Sequence, residues 1–133
     1  MLDGYHLLTL THRHTPLETI GKMVVQDHAS PVLQHLKTRL EWEEMMYLAT
    51  CNRVAFLFYQ HGRVPDNLAQ DVVRMVRPEL SFDEQEAISS QMRLLHGADA
   101  IQHWLEVAAS MDSLVIGERE IIRQLREQYE RSR

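Results

Sequence analysis

Two β-forming runs stand almost end to end in the middle of this chain, and they constrain its fold more than anything else. Met45-Met46-Tyr47-Leu48-Ala49 and Val54-Ala55-Phe56-Leu57-Phe58-Tyr59 are separated only by Thr50 to Arg53. Aromatic and β-branched residues suit a pleated, half-buried surface. A connection this short between two such runs predicts an antiparallel hairpin. Cys51, the one cysteine of the chain, falls at its bend.

The rest of the pattern builds outward from that hairpin. His6-Leu7-Leu8-Thr9-Leu10-Thr11 reads as an earlier strand. Thr15-Pro16-Leu17-Glu18 reads as a helix start, with Thr15 as the cap, proline at the first helical position and Glu18 closing a capping box. Ser30-Pro31 opens a second helix whose Val32, Leu33, Leu36 and Leu40 recur at helical spacing. Pro65-Asp66 opens a third, with Leu68, Val72, Met75 and Val76 on one side, and Pro78 ends it. Ile88 to Leu95 reads as a fourth strand, and after His96-Gly97 the residues Ile101, Trp104, Leu105 and Ala108 mark another helix. A last helix is expected to begin at Asp112-Ser113, with Asp112 as its N-cap and Ile121, Ile122, Leu125 and Tyr129 turned inward. The order strand, helix, strand, strand, helix, strand predicts an α+β fold of the ferredoxin-like type (βαββαβ), with helices over one face of an antiparallel sheet and further helices C-terminal to it. Residues 1–112 are expected to form this domain, with a further helix over 113–133.

Composition narrows the functional classes. At 133 residues the chain has the length of one domain, and 44% apolar content suffices for a core. No stretch approaches the roughly 18 apolar residues of a membrane span, and Met1-Leu2-Asp3-Gly4 lacks the layout of a signal peptide. A single cysteine excludes an internal disulfide framework and fits a reducing, cytoplasmic setting. The net charge of −5 supplies no global attraction for nucleic acid, so an RNA contact would need a local basic patch. Eight histidines are present, but His12 and His14 are two apart and His96 and His103 seven apart, which matches no metal motif. The five glycines, at 4, 21, 62, 97 and 117, form no G-x-G-x-x-G turn for a dinucleotide.

The residues around the bend allow a specific chemistry. A cysteine is partly thiolate at neutral pH and strongly nucleophilic, so it suits attack on an acyl group, and a nearby cation raises the thiolate fraction. Arg53 can bind a carboxylate through both arms of its guanidinium. Thr50 and Asn52 can orient a carbonyl or donate to an oxyanion. Each has a plainer alternative: a buried inert thiol, a surface arginine, and turn chemistry for Thr50 and Asn52.

A second run decides between these readings. Ser110-Met111-Asp112-Ser113-Leu114-Val115-Ile116-Gly117-Glu118 follows Ala49-Thr50-Cys51-Asn52-Arg53 by about sixty residues, and Thr11-His12-Arg13-His14-Thr15-Pro16 precedes both. In order and spacing these resemble the S-T-C-N-R-T-E, D-S-x-V-x-G-E and N-H-K-T-A-P patterns of the N-terminal catalytic domain of glutamyl-tRNA reductase. The resemblance runs from about residue 6 to the end. It implies that Cys51 forms a thioester with the glutamyl group of glutamyl-tRNA, and that NADPH then reduces the thioester to glutamate-1-semialdehyde for tetrapyrrole biosynthesis. It implies His103 as a proton-transfer residue, with His96 the nearest rival. It carries substrate contact to Thr50, Asn52, Arg53, Ser113, Glu118, Arg119, Glu120 and Gln124. Glutamate-1-semialdehyde aminotransferase is the implied partner. The charged helical pattern at Arg131-Ser132-Arg133, with no C-cap glycine or proline, leads one to expect that the chain continues. The resemblance implies that 113–133 begin a connecting helix to nicotinamide-binding and dimerisation domains, so that neither an NADPH site nor the homodimer contact is expected in this stretch.

The chain also departs from the resembled pattern. Thr11 replaces an asparagine, Ala55 a glutamate, Glu106 an arginine and Ser110 a glycine, and Arg119 and Glu120 stand where Pro and Gln are usual. The roles of His12 and His14 are open. Arg119, Arg123 and Arg126 form a helical stripe, but Glu118, Glu120 and Glu127 are interleaved, which favours a solvated, salt-bridged face over an RNA contact. The competing reading of the whole is a non-catalytic module of the same fold that binds tRNA or a protein, with Cys51 structural.

Overall fold

A computed structural model describes residues 2–25, 31–50, 52–109, 115–116, 126–127 and 130–131. The hairpin is formed by β2 (Glu44–Thr50) and β3 (Arg53–Tyr59), whose register closes on the pair Thr50–Arg53 and leaves residues 51 and 52 as the connection. β1 (Tyr5–Thr11) lies on the other side of β3, and β4 (Arg93–His96) lies outside β1. β5 (Val115–Ile116) pairs with β2. The sheet order is β4-β1-β3-β2-β5, and every neighbouring pair is antiparallel.

This order follows from the connections. Because β3 separates β1 from β2, the chain between those two strands must cross over the sheet, and it does so through α1 (Leu17–Lys22) and α2 (Pro31–Arg39). Because β1 separates β3 from β4, a second crossover is needed, made of α3 (Leu68–Val76) and α4 (Phe82–Ser89). Strand alternation turns Leu8, Leu10, Tyr47, Val54, Phe56 and Phe58 to the face these helices cover. There they pack with Ile20, Leu33, Leu36, Val72, Val73 and Ile88. Trp42 stacks on Phe58 with ring centroids 4.2 Å apart. The Tyr47 hydroxyl accepts from the Val25 amide at 2.8 Å and donates to the Met23 carbonyl at 3.2 Å, which ties the end of α1 to β2. Burial pushes its pKa up to about 12.

The opposite face is also covered. Leu7, Met46, Leu48, Ala55 and Leu57 meet Ala100, Ile101 and Trp104 of α5 (Gly97–Ala109). β4 runs into α5 with no loop between them, and Gly97, at φ 61°, makes the turn. A side chain is strained in that region of backbone space, whereas glycine is not.

Several expectations are corrected. Helices do not cover one face only, since α5 covers the second. The strand expected over 88–95 is confined to Arg93–His96, and Ile88 and Ser89 belong to α4, a helix the periodicity did not suggest. Its cue was a capping box: Ser81 Oγ accepts from the Glu84 amide at 3.2 Å and donates to the Glu84 carboxylate at 3.0 Å. α1 starts at Leu17 with Pro16 at its N-cap and has no side-chain cap bond, so Thr15 does not play the expected part. Val115–Ile116 is strand, where a helix beginning at Asp112-Ser113 would have run. Asp112 itself, Ser30 and the apolar set Ile121, Ile122, Leu125 and Tyr129 lie outside the described residues, whereas Arg126, Glu127, Glu130 and Arg131 are helical. Among the described residues no helix is long and apolar enough to cross a membrane.

Two stability predictions follow from local chemistry. α2 ends in a Schellman arrangement: the Trp42 amide donates to the Lys37 carbonyl at 3.0 Å and the Glu41 amide to that of Thr38 at 3.3 Å. This puts exposed Glu41 at φ 57°, a conformation costly for a residue with a Cβ. Glu41→Gly is expected to stabilise the fold by about 0.5–1 kcal/mol, part of the gain being offset by the freer unfolded chain, as read by urea denaturation. The second concerns buried His6, whose Nδ1 lies 2.7 Å from that of His96 across β1 and β4. Burial, then the charge of His96, lowers the pKa of His6 from its ordinary 6.5. Below 6.5 the unfolded chain takes up a proton that the folded chain refuses, so stability is full above that value and falls as pH drops through it. Denaturation midpoints at about pH 7.5 and about pH 5 should show this loss, and His6→Leu should shrink it.

Candidate active site

The sheet face under α5 changes character along its length. Near Leu7, Leu48 and Leu57 it is apolar. Toward the hairpin end the same alternation brings up Thr9 and Thr11 from β1, Thr50 from β2, Arg53 from β3 and Arg93 from β4. These residues, with Asn52, the turn residues His12, Arg13 and His14, and His103, Glu106 and Val107 of α5, line a cleft of about 620 Å³. That is within the usual range of small-ligand sites.

Short-range bonds hold its rim. The Asn52 amide donates to Thr50 Oγ1 at 3.2 Å, and that hydroxyl donates to Asn52 Oδ1 at 2.8 Å. The His12 amide donates to the Asn52 carbonyl at 3.0 Å, which joins the hairpin connection to the end of β1. Thr9 Oγ1, buried, donates to the Val54 carbonyl at 3.1 Å.

In the cleft, Arg53 Nη1 lies 3.2 Å from His103 Nε2. A guanidinium has donors only, so Nε2 must be the acceptor, and the imidazole is therefore neutral with its proton on Nδ1. The electrostatics agree. Burial, then the charge of Arg53 and more weakly those of Arg93 and Arg13, lowers the His103 pKa from 6.5, against an opposing pull from Glu106. Arg53 is itself lowered, by burial first and then by Arg13. Among the described residues the cleft thus holds Arg13, Arg53 and Arg93 against one acid, the exposed Glu106, whose carboxylate accepts from Gln102 at 3.2 Å.

Of the expected site residues, Thr50, Asn52, Arg53 and His103 come together here. Cys51 lies outside the described residues, between two residues that line the cleft. Ser113, Glu118, Arg119, Glu120 and Gln124 also lie outside them, as do Ser110 and Arg123. His96 is not in the cleft. It pairs with His6 and lines a separate cavity of about 570 Å³. Ala55 is buried beneath α5. Arg13 and Arg93 were missed as site residues. The alternation Thr9, Thr11, Arg13 offered a cue for the first, but Arg93 was hidden by the over-long fourth strand. Among the described residues no group of three or more His, Cys, Asp or Glu side chains could hold a metal ion.

A two-faced antiparallel sheet with a cationic, imidazole-bearing cleft at one end defines an α+β domain suited to an anionic ligand. The family model for the "Glutamyl-tRNAGlu reductase, N-terminal domain" matches residues 8–133, and the chain belongs to that family. It is similar to glutamyl-tRNA reductases of Syntrophobacter fumaroxidans (34% identity over 92% of this chain and 26% of the relative) and Sulfolobus acidocaldarius (33% identity, 94% and 27%). The structure of the glutamyl-tRNA reductase from Methanopyrus kandleri shares the fold, with a TM-score of 0.56 at 19% identity over 97% of this chain and 28% of that one. The chain thus spans little more than a quarter of the length of these relatives.

The cleft geometry predicts a measurable coupling. Arg53→Gln removes a charge that holds the His103 pKa down, so that pKa should rise toward 6.5 while burial keeps part of the shift. NMR titration of the His103 ring checks this, and an unchanged pKa would assign the shift to burial and the charges of Arg93 and Arg13.

Proposed function

We propose that this chain binds glutamyl-tRNA and takes its glutamyl group onto Cys51 as a thioester, the first half of glutamyl-tRNA reduction in tetrapyrrole biosynthesis. The observation that carries the proposal is the Arg53–His103 hydrogen bond in a cationic cleft, with the rim residues Thr50 and Asn52 on either side of Cys51 in the chain.

The arrangement suits the reaction in three ways. The side-chain carboxylate of a glutamyl group is a bidentate match for the Arg53 guanidinium. When the carboxylate draws Arg53 away, the lone pair of His103 Nε2 is released and becomes the free base of the cleft. The Cys51 thiol gives up its proton to that nitrogen, sulfur bonds to the ester carbon, and the bond from that carbon to the ribose oxygen breaks. His103 returns the proton to the departing ribose hydroxyl, so atoms and charge balance. Thr50 and Asn52 line the cleft and can donate to a carbonyl oxygen as it gains charge. Ser113, Glu118, Arg119, Glu120 and Gln124 are proposed as further substrate contacts on the strength of the motif alone.

The following hydride transfer is assigned to NADPH by resemblance. These residues do not fit such a cofactor, since the sheet is antiparallel throughout and its glycines form no phosphate-cradling turn. No reduction step is therefore derived for this chain. Delivery of the aldehyde to glutamate-1-semialdehyde aminotransferase and dimerisation through a further domain rest on the resemblance, as does a cytoplasmic setting. For the fold itself, the order β4-β1-β3-β2 supports the ferredoxin-like assignment, with α5 and β5 as additions.

Incubation with glutamyl-tRNA and a rapid acid quench should reveal a glutamyl adduct on Cys51 by intact-mass spectrometry. Cys51→Ser should abolish it, because a serine hydroxyl is far less acidic than a thiol and a far weaker nucleophile beside the same imidazole. His103→Asn should slow acylation by about 10²-fold or more while leaving tRNA affinity largely intact. No aldehyde should form with added NADPH. Binding of the tRNA without any adduct would favour the non-catalytic reading, with the Glu106 carboxylate in the cleft as the first cause to test.

A further inference from the structure

We propose that Arg13 and Arg93 form a phosphate subsite beside the acyl cleft, one that holds the phosphodiester at the 3′ end of the tRNA acceptor strand. The inference rests on the reading of glutamyl-tRNA as substrate and extends it to Arg13, which stands at the lysine position of the N-H-K-T-A-P-like run, and to Arg93, which no motif marks.

Three arginines reach one cleft from three places in the chain: Arg53 from β3, Arg93 from β4 opposite Thr9, and Arg13 from the turn after β1. Elsewhere in the molecule Arg63, Arg74 and Arg77 hold Asp66, Asp71 and Glu79 at 3.3, 3.3 and 3.5 Å. Among the described residues, Arg13 and Arg93 have no such acid. Glu106, the one acid among the described residues of the cleft, engages Gln102 instead. Gathering like charges without counterions costs free energy unless a ligand supplies the anion.

One glutamyl carboxylate accounts for one guanidinium fork, Arg53. Two remain, and the cleft of about 620 Å³ is larger than a glutamyl group needs. The second anion must belong to the same ligand, close to the ester. On an aminoacyl-tRNA the nearest is the phosphodiester of the terminal nucleotide, one ribose away from the acyl bond. Guanidinium groups match phosphate as they do carboxylate. The chain carries a net charge of −5, so attraction for RNA has to come from a local cluster of this kind.

The test is the salt dependence of binding of deacylated tRNA to the intact chain and to Arg13→Gln, Arg93→Gln and Arg74→Gln, each first shown to melt as the unaltered chain does. Each cleft substitution should weaken binding several-fold at low salt and flatten the plot of log affinity against log salt by about 0.7. Arg74→Gln, in the helical layer of the opposite face, should change neither. In a second arm, cytidylyl-adenosine, which carries one phosphodiester, should shift the Arg13 and Arg93 side-chain resonances in NMR, and adenosine should not. Unchanged slopes in both cleft variants overturn the proposal, and so does inorganic phosphate that shifts those resonances as strongly as the dinucleotide. The slope requires no acyl transfer. Flattened slopes without a Cys51 adduct would therefore count against the chemistry alone, and an adduct with unchanged slopes against the subsite alone.

Discussion

The structure depends on the burial of β3 from both sides and both faces. Its residues from Val54 to Phe58 are buried, Val54, Phe56 and Phe58 against the four-helix layer and Ala55 and Leu57 against α5. A strand buried on both faces needs a partner along each edge and a layer above and below, because unpaired backbone groups and exposed apolar surface are both costly. β1 and β2 supply the edges, and the crossovers from β1 to β2 and from β3 to β4 supply the first layer. α5 must supply the second. The glycine at 97 lets the chain leave β4 and fold back across the sheet at once, and the placement of His103 above Arg53 follows from that turn.

The cleft lies where this second layer runs out. α5 covers the apolar part of the sheet face with Ala100, Ile101 and Trp104, and its last turns stand over threonines and arginines instead. One helix therefore seals the core and closes the site. The same partial burial sets the chemistry: it keeps His103 neutral, and with Arg53 as its neighbour the imidazole can accept a proton at Nε2 only after that donor has gone elsewhere. If Arg53 binds the substrate carboxylate and His103 serves as the base, as proposed, the base is coupled to recognition by construction.

Much of this was legible in the residues. The hairpin followed from two β-rich runs and a four-residue gap, and the motif around Cys51 was readable because its members are neighbours in the chain. The alternation that puts Thr50 and Arg53 on one face is equally local. What misled was the stretch 80–96, where apolar residues without clear periodicity hid a helix, a turn and a short strand. Ser81 and Glu84 carried the helix signal in their capping chemistry rather than in hydrophobic spacing.

By itself, then, the sequence determined the elements whose signals repeat within a few residues: the hairpin, the helix faces of α2 and α3, the Thr50-Cys51-Asn52-Arg53 motif and the family. Only the tertiary structure decided that His103 rather than His96 meets Arg53, that α5 takes the second face, and that Arg13 and Arg93 join the same cleft. These are matters of strand order and crossover direction. They are set by which buried surfaces find each other across 40 residues or more of chain, as Arg53 and His103 do at a separation of 50, and local periodicity carries no record of that choice.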